Sequence, residues 1–433
     1  MRQVDLNTFD EFYLHLDNAF QPWGIHIEAA VSGRLDSVRL QAAAWAAVRA
    51  HPMLRAELAP WRATDIRYRW RIADTLDSLP LTTVECRDEN ELAEARIRLL
   101  DHSPRLDQPG PFELLLVHAP GGDRLLLNLN HAAADAMSGV RVVYSILRAY
   151  GGEPDVVPSF DPLLARDVRR LLKDGSMTGL VGRARAFVDI ARVGTREPCR
   201  IVQRGGIDRS GYGFELRRID VDTMKEAMRR RPAGATVNDL LIGSLAVTMR
   251  RWNDKYGGPT GRLSMVMPVN SRPLEWRNEV VGNFAIFTSV NIPESMQSDV
   301  LTATTEAARR TSGIKMNRTH GLMRDLLGLL NLLPAALKRW VVREKPLLGG
   351  RVADSAVMTN LGRVMPPPVL GGNAGEVTGI WFSSPSHSPN DTALAAVSFG
   401  GEMFLSLSYT HTQFDAIAGV EFMDLFEQVL VAG

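Results

Sequence analysis

A run of apolar residues that ends on a histidine and restarts as a helix constrains this chain more than any other stretch. In LLLNLNHAAADAMSG, residues 125 to 139, Leu125, Leu127 and Leu129 alternate as on one face of a strand and carry His131 onto that face. Asp135 follows four residues later, and Val140, Val143, Leu147 and Tyr150 then keep helical spacing. An imidazole fixed at the end of a rigid strand, with a carboxylate placed to hold its turn, suits general-base chemistry. The same HxxxD spacing recurs at His387 to Asp391 and at His411 to Asp415. The first of these lies in the loop sequence SSPSHSPND and the second follows the strand-like MFLSLSYT. Neither shows the strand-to-helix setting of His131 in sequence, so both read as structural or tunnel-wall residues.

The flanking pattern alternates strands and helices. HIEAAVSGRL (26 to 35) reads as a strand and SVRLQAAAWAAVRA (37 to 50) as a helix, with Asp36 or Ser37 as its N-cap. FELLLVH and RLLLNLN, separated by APGGD, form a hairpin that delivers His131. Gly151, Gly152 and PDVVPSFDP mark a boundary, and basic helical stretches at Val168 to Lys173 and Val181 to Val193 look like a connector. From Tyr212 the pattern restarts, with strands FELRRIDVD, LSMVMPV, AIFTSVNI, LAAVSFG and MFLSLSYT and helices over Met224 to Arg230 and Val237 to Trp252. The division is therefore a first lobe over 1–155, a connector over 156–205 and a second lobe over 206–433. A chain of 433 residues, 45% hydrophobic, is long enough to fill two cores.

Several function classes lack their marks. GxSxG, Walker A, HExxH, CxxC and GxGxxG are all absent. Lys and Arg total 50 against 49 for Asp and Glu, which gives no reason to expect a nucleic-acid partner. Cys86 and Cys199 make no disulfide framework or metal cluster, read as inert buried thiols, and fit a reducing cytoplasm. The acidic start MRQVDLNTFDEFYLHLD is unlike a signal peptide. LLGLLNLLPAAL (326 to 337) is broken by Asn331 and Pro334 and falls short of the about 20 residues of a membrane span. With Lys338, Arg339, Trp340, Arg343 and Lys345 after it, it reads as a core helix with a solvated basic end, or else as a helix lying on a bilayer surface.

NHAAADAMS resembles the HHxxxDG signature of the thioester-dependent acyltransferase superfamily. That superfamily includes nonribosomal peptide condensation domains, wax ester synthase/diacylglycerol acyltransferases, polyketide-associated acyltransferases, chloramphenicol acetyltransferase and plant acyltransferases. AAVRAHPMLRAEL (46 to 58), ATVNDLLIGSLAVTMRRW (235 to 252), MPVNSRP with VGNF (267 to 284) and TNLGRV (359 to 364) resemble further family segments in the right order, so the likeness covers nearly the whole chain. TNLGRV is similar to the segment that crosses between halves. Two positions depart from the signature: Asn130 replaces its first His, and Ala136 replaces its Gly, which disfavours positive φ after Asp135.

The resemblance implies an α+β fold of two chloramphenicol acetyltransferase-like α/β sandwich lobes, with the active site in a tunnel between them. It makes His131 the catalytic base and gives Asp135 a structural role, ion-paired to Arg272 and holding the His-bearing turn. A catalytic relay through Asp135 is the alternative. Asn130 and Ser138 are candidates for local support, Ser138 equally for a helix cap. Asn283 and Asn360 are candidates for the tunnel lining, or else turn residues.

The implied reaction moves an acyl group from a coenzyme A or carrier-protein thioester to an alcohol, giving an ester, with no permanently bound cofactor and no metal. Coenzyme A or phosphopantetheine carries the donor, and RDVRRLLK or MRRRP could meet its phosphates or an acidic carrier. An amine acceptor, giving an amide, uses the same base. A non-catalytic module that recruits a partner, with Asn130 as a first sign of decay, is the reading from outside enzymology. The Leu-rich 326 to 337 segment hints at a lipophilic substrate.

Overall fold

The structure, a computed structural model, describes residues 2–166, 197–273, 276, 281–316, 328, 330, 332–344, 354–386 and 390–432. The basic segments at Val168 to Lys173 and Val181 to Val193, and His387, lie outside the described residues.

The hairpin expected around APGGD is formed. Strands β6 (Phe112–His118) and β7 (Arg124–Asn130) pair antiparallel, with Phe112 opposite Leu129. Gly122 turns between them at φ 100°, where a side chain would run into the Val31 carbonyl 2.1 Å away. β7 lies beside β2 (Gly24–Val31), and β5 (Leu81–Glu85) lies parallel to β6. Helices cover both faces of this sheet. Leu125, Leu127 and Leu129 join Ile25 and Ile27 in one core with Val142, Val143 and Leu147 of helix α4 (Ala136–Gly151). Leu126, Leu115 and Val117 pack the other way, against Leu92, Ala95 and Leu99 of α3 (Glu89–Leu100). A strand buried on both faces needs no polar alternation, which is why β7 reads as an apolar run. Asp36 rather than Ser37 caps α2 (Ser37–Ala50), accepting the Arg39 N–H at 2.7 Å.

The second lobe is a six-stranded sheet in the order β10 (Ala285–Ile292), β9 (Leu263–Asn270), β11 (Ala356–Arg363), β13 (Thr392–Phe399), β14 (Glu402–Thr410), β8 (Tyr212–Ile219). On one face Leu405 and Leu407 pack with Leu241, Leu245 and Trp252 of α6 (Val237–Lys255) and with Phe422 and Phe426 of α9 (Ala416–Ala432). Helices α5 (Val221–Arg230) and α7 (Val300–Met316) belong to this lobe too. The opposite face contributes Ala395, Val397 and Phe404 to the first lobe's core. A small sheet of β1 (Arg2–Asp5), β4 (Arg69–Ile72) and β3 (Ala56–Leu58) completes the first lobe.

Three expectations need correction. TNLGRV does not cross between the halves: Thr359 and Asn360 stay in β11, paired with Ala395 and Ala396 of β13. The crossing strand is β12 (Val377–Ser383), which pairs with β2 and closes an edge that would otherwise be open, giving the five-stranded order β12-β2-β7-β6-β5. Its Ile380 and Phe382 fill the first lobe's core.

His411 does have the strand-to-helix setting: β14 ends at Thr410, and Asp415 receives the Ala418 N–H at 2.8 Å at the start of α9. Ala418, Phe422, Phe426 and Val429 keep helical spacing after Asp415 and are buried along one face of α9, so this second copy carries the same strand-to-helix pattern as the first.

The basic end after the Leu-rich segment is not fully solvated. In α8 (Ala335–Glu344), Lys338 is 1% exposed and donates to Glu11 Oε2 at 2.6 Å and to the Ile66 carbonyl at 2.7 Å. Leu337 and Trp340 face outward, 42% and 51% exposed. A buried carboxylate on α1 (Thr8–Leu16) has inverted the orientation that charge alone would dictate. Residues 326, 327, 329 and 331, Lys345 and the side chain of Arg343 lie outside the described residues. No helix among the described residues is long and apolar enough to cross a membrane.

Candidate active site

The turn after β7 is built by Asn130. Its carbonyl accepts the Ala133 N–H at 2.9 Å and its Oδ1 the Ala132 N–H at 2.9 Å. Its Nδ2 donates to the Pro104 carbonyl at 2.9 Å and to Asp17 at 3.2 Å. Asn130 therefore shapes and tethers the turn, on the strand face opposite His131.

His131 is buried where the lobes meet. Its N–H donates to the Trp23 carbonyl at 2.8 Å, and its carbonyl accepts from Asn283 Nδ2 at 2.8 Å. The imidazole stacks on Tyr13 with ring centroids 3.6 Å apart and planes 17° from parallel, and Trp23 lies 5.9 Å away. Burial pulls its pKa down to about 4, against smaller contributions from backbone, Asp135 and Asn283 that favour the charged ring. The ring is therefore neutral at neutral pH, the state a general base requires.

Asp135 is the N-cap of α4. Its carboxylate accepts the Ser138 N–H and the Phe284 N–H, each at 3.0 Å, and two 2.8 Å bonds from Arg272. Burial raises its pKa, but Arg272 and these hydrogen bonds more than offset that and hold the carboxyl below the usual carboxylate range. With its oxygens so engaged, Asp135 bonds to neither ring nitrogen of His131 among the described residues, and the geometry of a relay is absent. Ala136 is the first residue of α4, so the backbone there is right-handed and no glycine is needed.

Ser138 is not the cap. Its hydroxyl accepts from Arg272 Nη2 at 2.6 Å and from the Gly282 N–H at 3.0 Å, with the Gly282 carbonyl 2.8 Å away as an acceptor.

Gly282, Asn283 and Phe284, from the second half of the chain, thus grip the His-bearing turn of the first. Asn283 is fully buried, so it clamps rather than lines a tunnel: Nδ2 lies 2.8 Å from the His131 carbonyl, 3.0 Å from that of Ala132 and 3.0 Å from Asp10 Oδ1. Asp10 is itself held by Arg166, by Trp70 Nε1 at 3.2 Å and by the Asn7 N–H at 2.9 Å. Asn360 is not brought to this cluster; its Oδ1 accepts the Gly362 N–H at 2.8 Å and shapes a bulge in β11. Of the basic runs, Arg229 and Arg230 pair with Glu226 on the surface of α5.

Sequence reasoning missed Asp10, Tyr13 and Trp23. The signal for the first two was a capping box, Asn7 with Asp10, which opens α1 and places Phe9 and Tyr13 on one inward face. Nothing in the sequence marks Trp23.

A cavity of about 240 Å³ lies along α4, walled by Met137, Val140 and Tyr144 and by Val364 and Met365, with Arg141 and Arg363 also lining it. Burial raises both thiol pKa values, of Cys86 and of Cys199, which leaves neither activated. No group of three or more potential metal ligands occurs among the described residues.

No family model matches the chain. The uncharacterized protein Rv2305 of Mycobacterium tuberculosis is 36% identical over 401 residues, 92% of either chain. Among solved structures, the first condensation domain of the calcium-dependent antibiotic synthetase aligns with a TM-score of 0.73 at 15% identity, over 99% of this chain and 96% of that one. The trichothecene 15-O-acetyltransferase of Fusarium sporotrichioides aligns at 0.69 and 12% identity, over 100% and 95%. The chain belongs to the family of Rv2305, and it shares the two-lobed, chloramphenicol acetyltransferase-like fold of the condensation domain and of the acetyltransferase.

Proposed function

We propose that the protein is an acyltransferase in which His131 takes the proton from an acceptor hydroxyl as that oxygen attacks a thioester carbonyl. The carbon–sulfur bond of the donor then breaks, the thiolate leaves with the proton returned by His131, and an ester forms. The observation that carries this reading is a neutral, buried imidazole at the lobe junction whose turn is held from both sides. Preorganisation of this kind lowers the cost of bringing base and nucleophile into line. The apolar cavity beside α4 suits the chain of an acyl or pantetheinyl group. Both coenzyme A and a carrier-bound phosphopantetheine present that arm, and the structural relatives include an O-acetyltransferase as well as a condensation domain. An amine acceptor would use the same base and give an amide.

The test is thiol release from a panel of acyl-coenzyme A and acyl-carrier thioesters with alcohol and amine acceptors, comparing the wild type with folded His131→Ala. Acceptor-dependent release that falls about 10²- to 10⁴-fold in the variant supports His131 as base. Product mass separates ester from amide. Equal release by both proteins removes His131 from the mechanism, and tight partner binding without any turnover favours the recruitment module.

A further inference from the structure

Helix α8 carries its side chains inside out. Ala335, Lys338 and Val342, at helical spacing, form its buried face, and the Lys338 ammonium is taken up by Glu11 Oε2 at 2.6 Å and the Ile66 carbonyl at 2.7 Å. The outward face holds Leu337 and Trp340 one turn apart, with Arg339 between them. In water the ordinary arrangement is the reverse, with apolar side chains inward and the lysine in solvent.

The apolar surface continues beyond the helix. The Ala335 N–H donates to the Asp65 carbonyl at 2.8 Å and the Ala336 N–H to that of Ala63 at 3.1 Å, which seats the start of α8 on the loop over 62–66. Ile66 of that loop is 53% exposed, and Leu332, just before the helix, is 74% exposed. Apolar side chains scattered singly over a surface need no explanation, but here they gather on one helix and the loop bonded to it. The rim is basic: Arg62, Arg67, Arg69 and Arg339 are exposed. Arg67 and Arg69 share one carboxylate, Asp5, at 2.8 and 3.5 Å, so their pairing leaves a positive charge over.

We infer that this face docks on an anionic lipid bilayer, with Leu337, Trp340, Ile66 and Leu332 entering the boundary between headgroups and acyl chains and the arginines meeting lipid phosphates. An indole at that boundary keeps its ring in hydrocarbon and its N–H among the headgroups, while a guanidinium on the same face reaches out to phosphate. The buried Lys338 then has a purpose, since it fixes α8 to the protein with its apolar side turned to the lipid. A second copy of the chain fits less well: across a two-fold interface the arginine rim would face itself. The surface also lies one helix from the site. Glu11, which holds Lys338, is on α1 two residues before Tyr13, whose ring stacks on His131. On the acyl-transfer reading, that placement fits a lipophilic donor or acceptor drawn from the bilayer, whereas the docking itself does not depend on that reading.

The test uses the full chain with vesicles of phosphatidylcholine alone and of phosphatidylcholine mixed with phosphatidylglycerol, read by cosedimentation and by quenching of tryptophan fluorescence with lipids brominated on the acyl chain. The expected result is binding to the mixed vesicles that weakens with salt, and quenching that is lost in Trp340→Phe. Leu337→Ser combined with Trp340→Ser should weaken binding at least about tenfold. Arg62→Gln combined with Arg339→Gln should weaken it about 25-fold on mixed vesicles at low salt, at about fivefold per cation. Ile417→Ser, at an exposed apolar position of α9 in the second lobe, should change nothing. Absence of binding to mixed vesicles overturns the inference, as does binding that survives the Leu337 and Trp340 substitutions or falls equally in Ile417→Ser. Self-association that is lost in the same double variant, without vesicle binding, assigns the face to a second copy and overturns it too. Vesicle binding without turnover of any thioester leaves the docking face standing and removes the acyl-transfer reading alone; turnover without vesicle binding does the reverse.

Discussion

Arg272 and Asp135 meet across the two halves of the chain through two parallel 2.8 Å hydrogen bonds, with side chains 1% and 4% exposed. The Arg272 guanidinium also lies 4.4 Å above the Phe284 ring, so the pair is packed as well as bonded. Removing one partner strands the other charge in a dry environment, which costs about 3–5 kcal/mol. Asp135→Ala and Arg272→Ala are each expected to lose that much in urea denaturation. The double substitution Asp135→Asn with Arg272→Met should lose less than the two single losses added, because it leaves no unpaired charge. An Asp135→Ala protein as stable as the wild type would remove the pair from the structural account.

Acid should unfold the protein earlier than its carboxylates alone would require. Burial pulls His26 and His51 down to about 3 and His131 to about 4, whereas an unfolded histidine titrates near 6.5. With the folded pKa depressed, the unfolded chain binds the extra protons; the stabilisation is complete above pH 6.5 and is lost as pH falls toward 4. Each such histidine contributes a slope of about 1.4 kcal/mol per pH unit in that window. Asp135, also depressed, adds its loss only below about pH 4. Denaturation midpoints across pH 4 to 7 should show the slope, and His131→Gln should reduce it by one histidine's share.

The same burial sets the pH range of activity. If the unprotonated His131 is the reacting form, it is populated at any pH above about 4. The acidic limb of kcat/KM, which reports the free enzyme, should therefore fall near pH 4 to 5. A limb at pH 6.5 would mean that His131 is more hydrated than this geometry implies, or that another group titrates.

The residues that announce themselves in sequence are those whose surroundings are local. β7, α4, His131 and Asp135 lie within one continuous stretch, so their periodicity and spacing were enough to place them. Arg272 was legible only through the resemblance, since 137 residues separate it from Asp135. Asn283 and Asn360 look alike in sequence, each an asparagine in a loop-like stretch. One became a fully buried clamp and the other a bulge residue because tertiary packing, which has no periodicity, chose between them. β12 escaped notice for the same reason: pairing with β2 spans hundreds of residues and leaves no local mark. Lys338 shows the converse, a local rule that charges face water, overridden by a distant Glu11.

The second HxxxD copy yields the last prediction. His411 and Asp415 repeat the strand-to-helix arrangement of His131 and Asp135, but the end of the connector occupies the space beside them. The Ile207 N–H donates to the His411 carbonyl at 2.8 Å, and the Asp415 N–H to the Arg204 carbonyl at 3.1 Å. Asp415 fills the space that a side chain at Gly205 would need: a Cβ there would lie 1.8 Å from Oδ2, at a backbone φ of +64°. In the first copy the corresponding Asp135 N–H meets the Gly282 carbonyl, which comes from the opposite lobe. The second copy is held by residues of its own half and lacks the contact across the lobes that fixes the turn of His131. His411→Ala should therefore keep thioester turnover within about twofold of the wild type, where His131→Ala loses about 10²- to 10⁴-fold. Gly205→Ala should cost about 1–3 kcal/mol in denaturation through backbone strain and overpacking against Asp415. A His411→Ala variant that loses turnover as His131→Ala does, while remaining folded, would mean that the two copies share the chemistry.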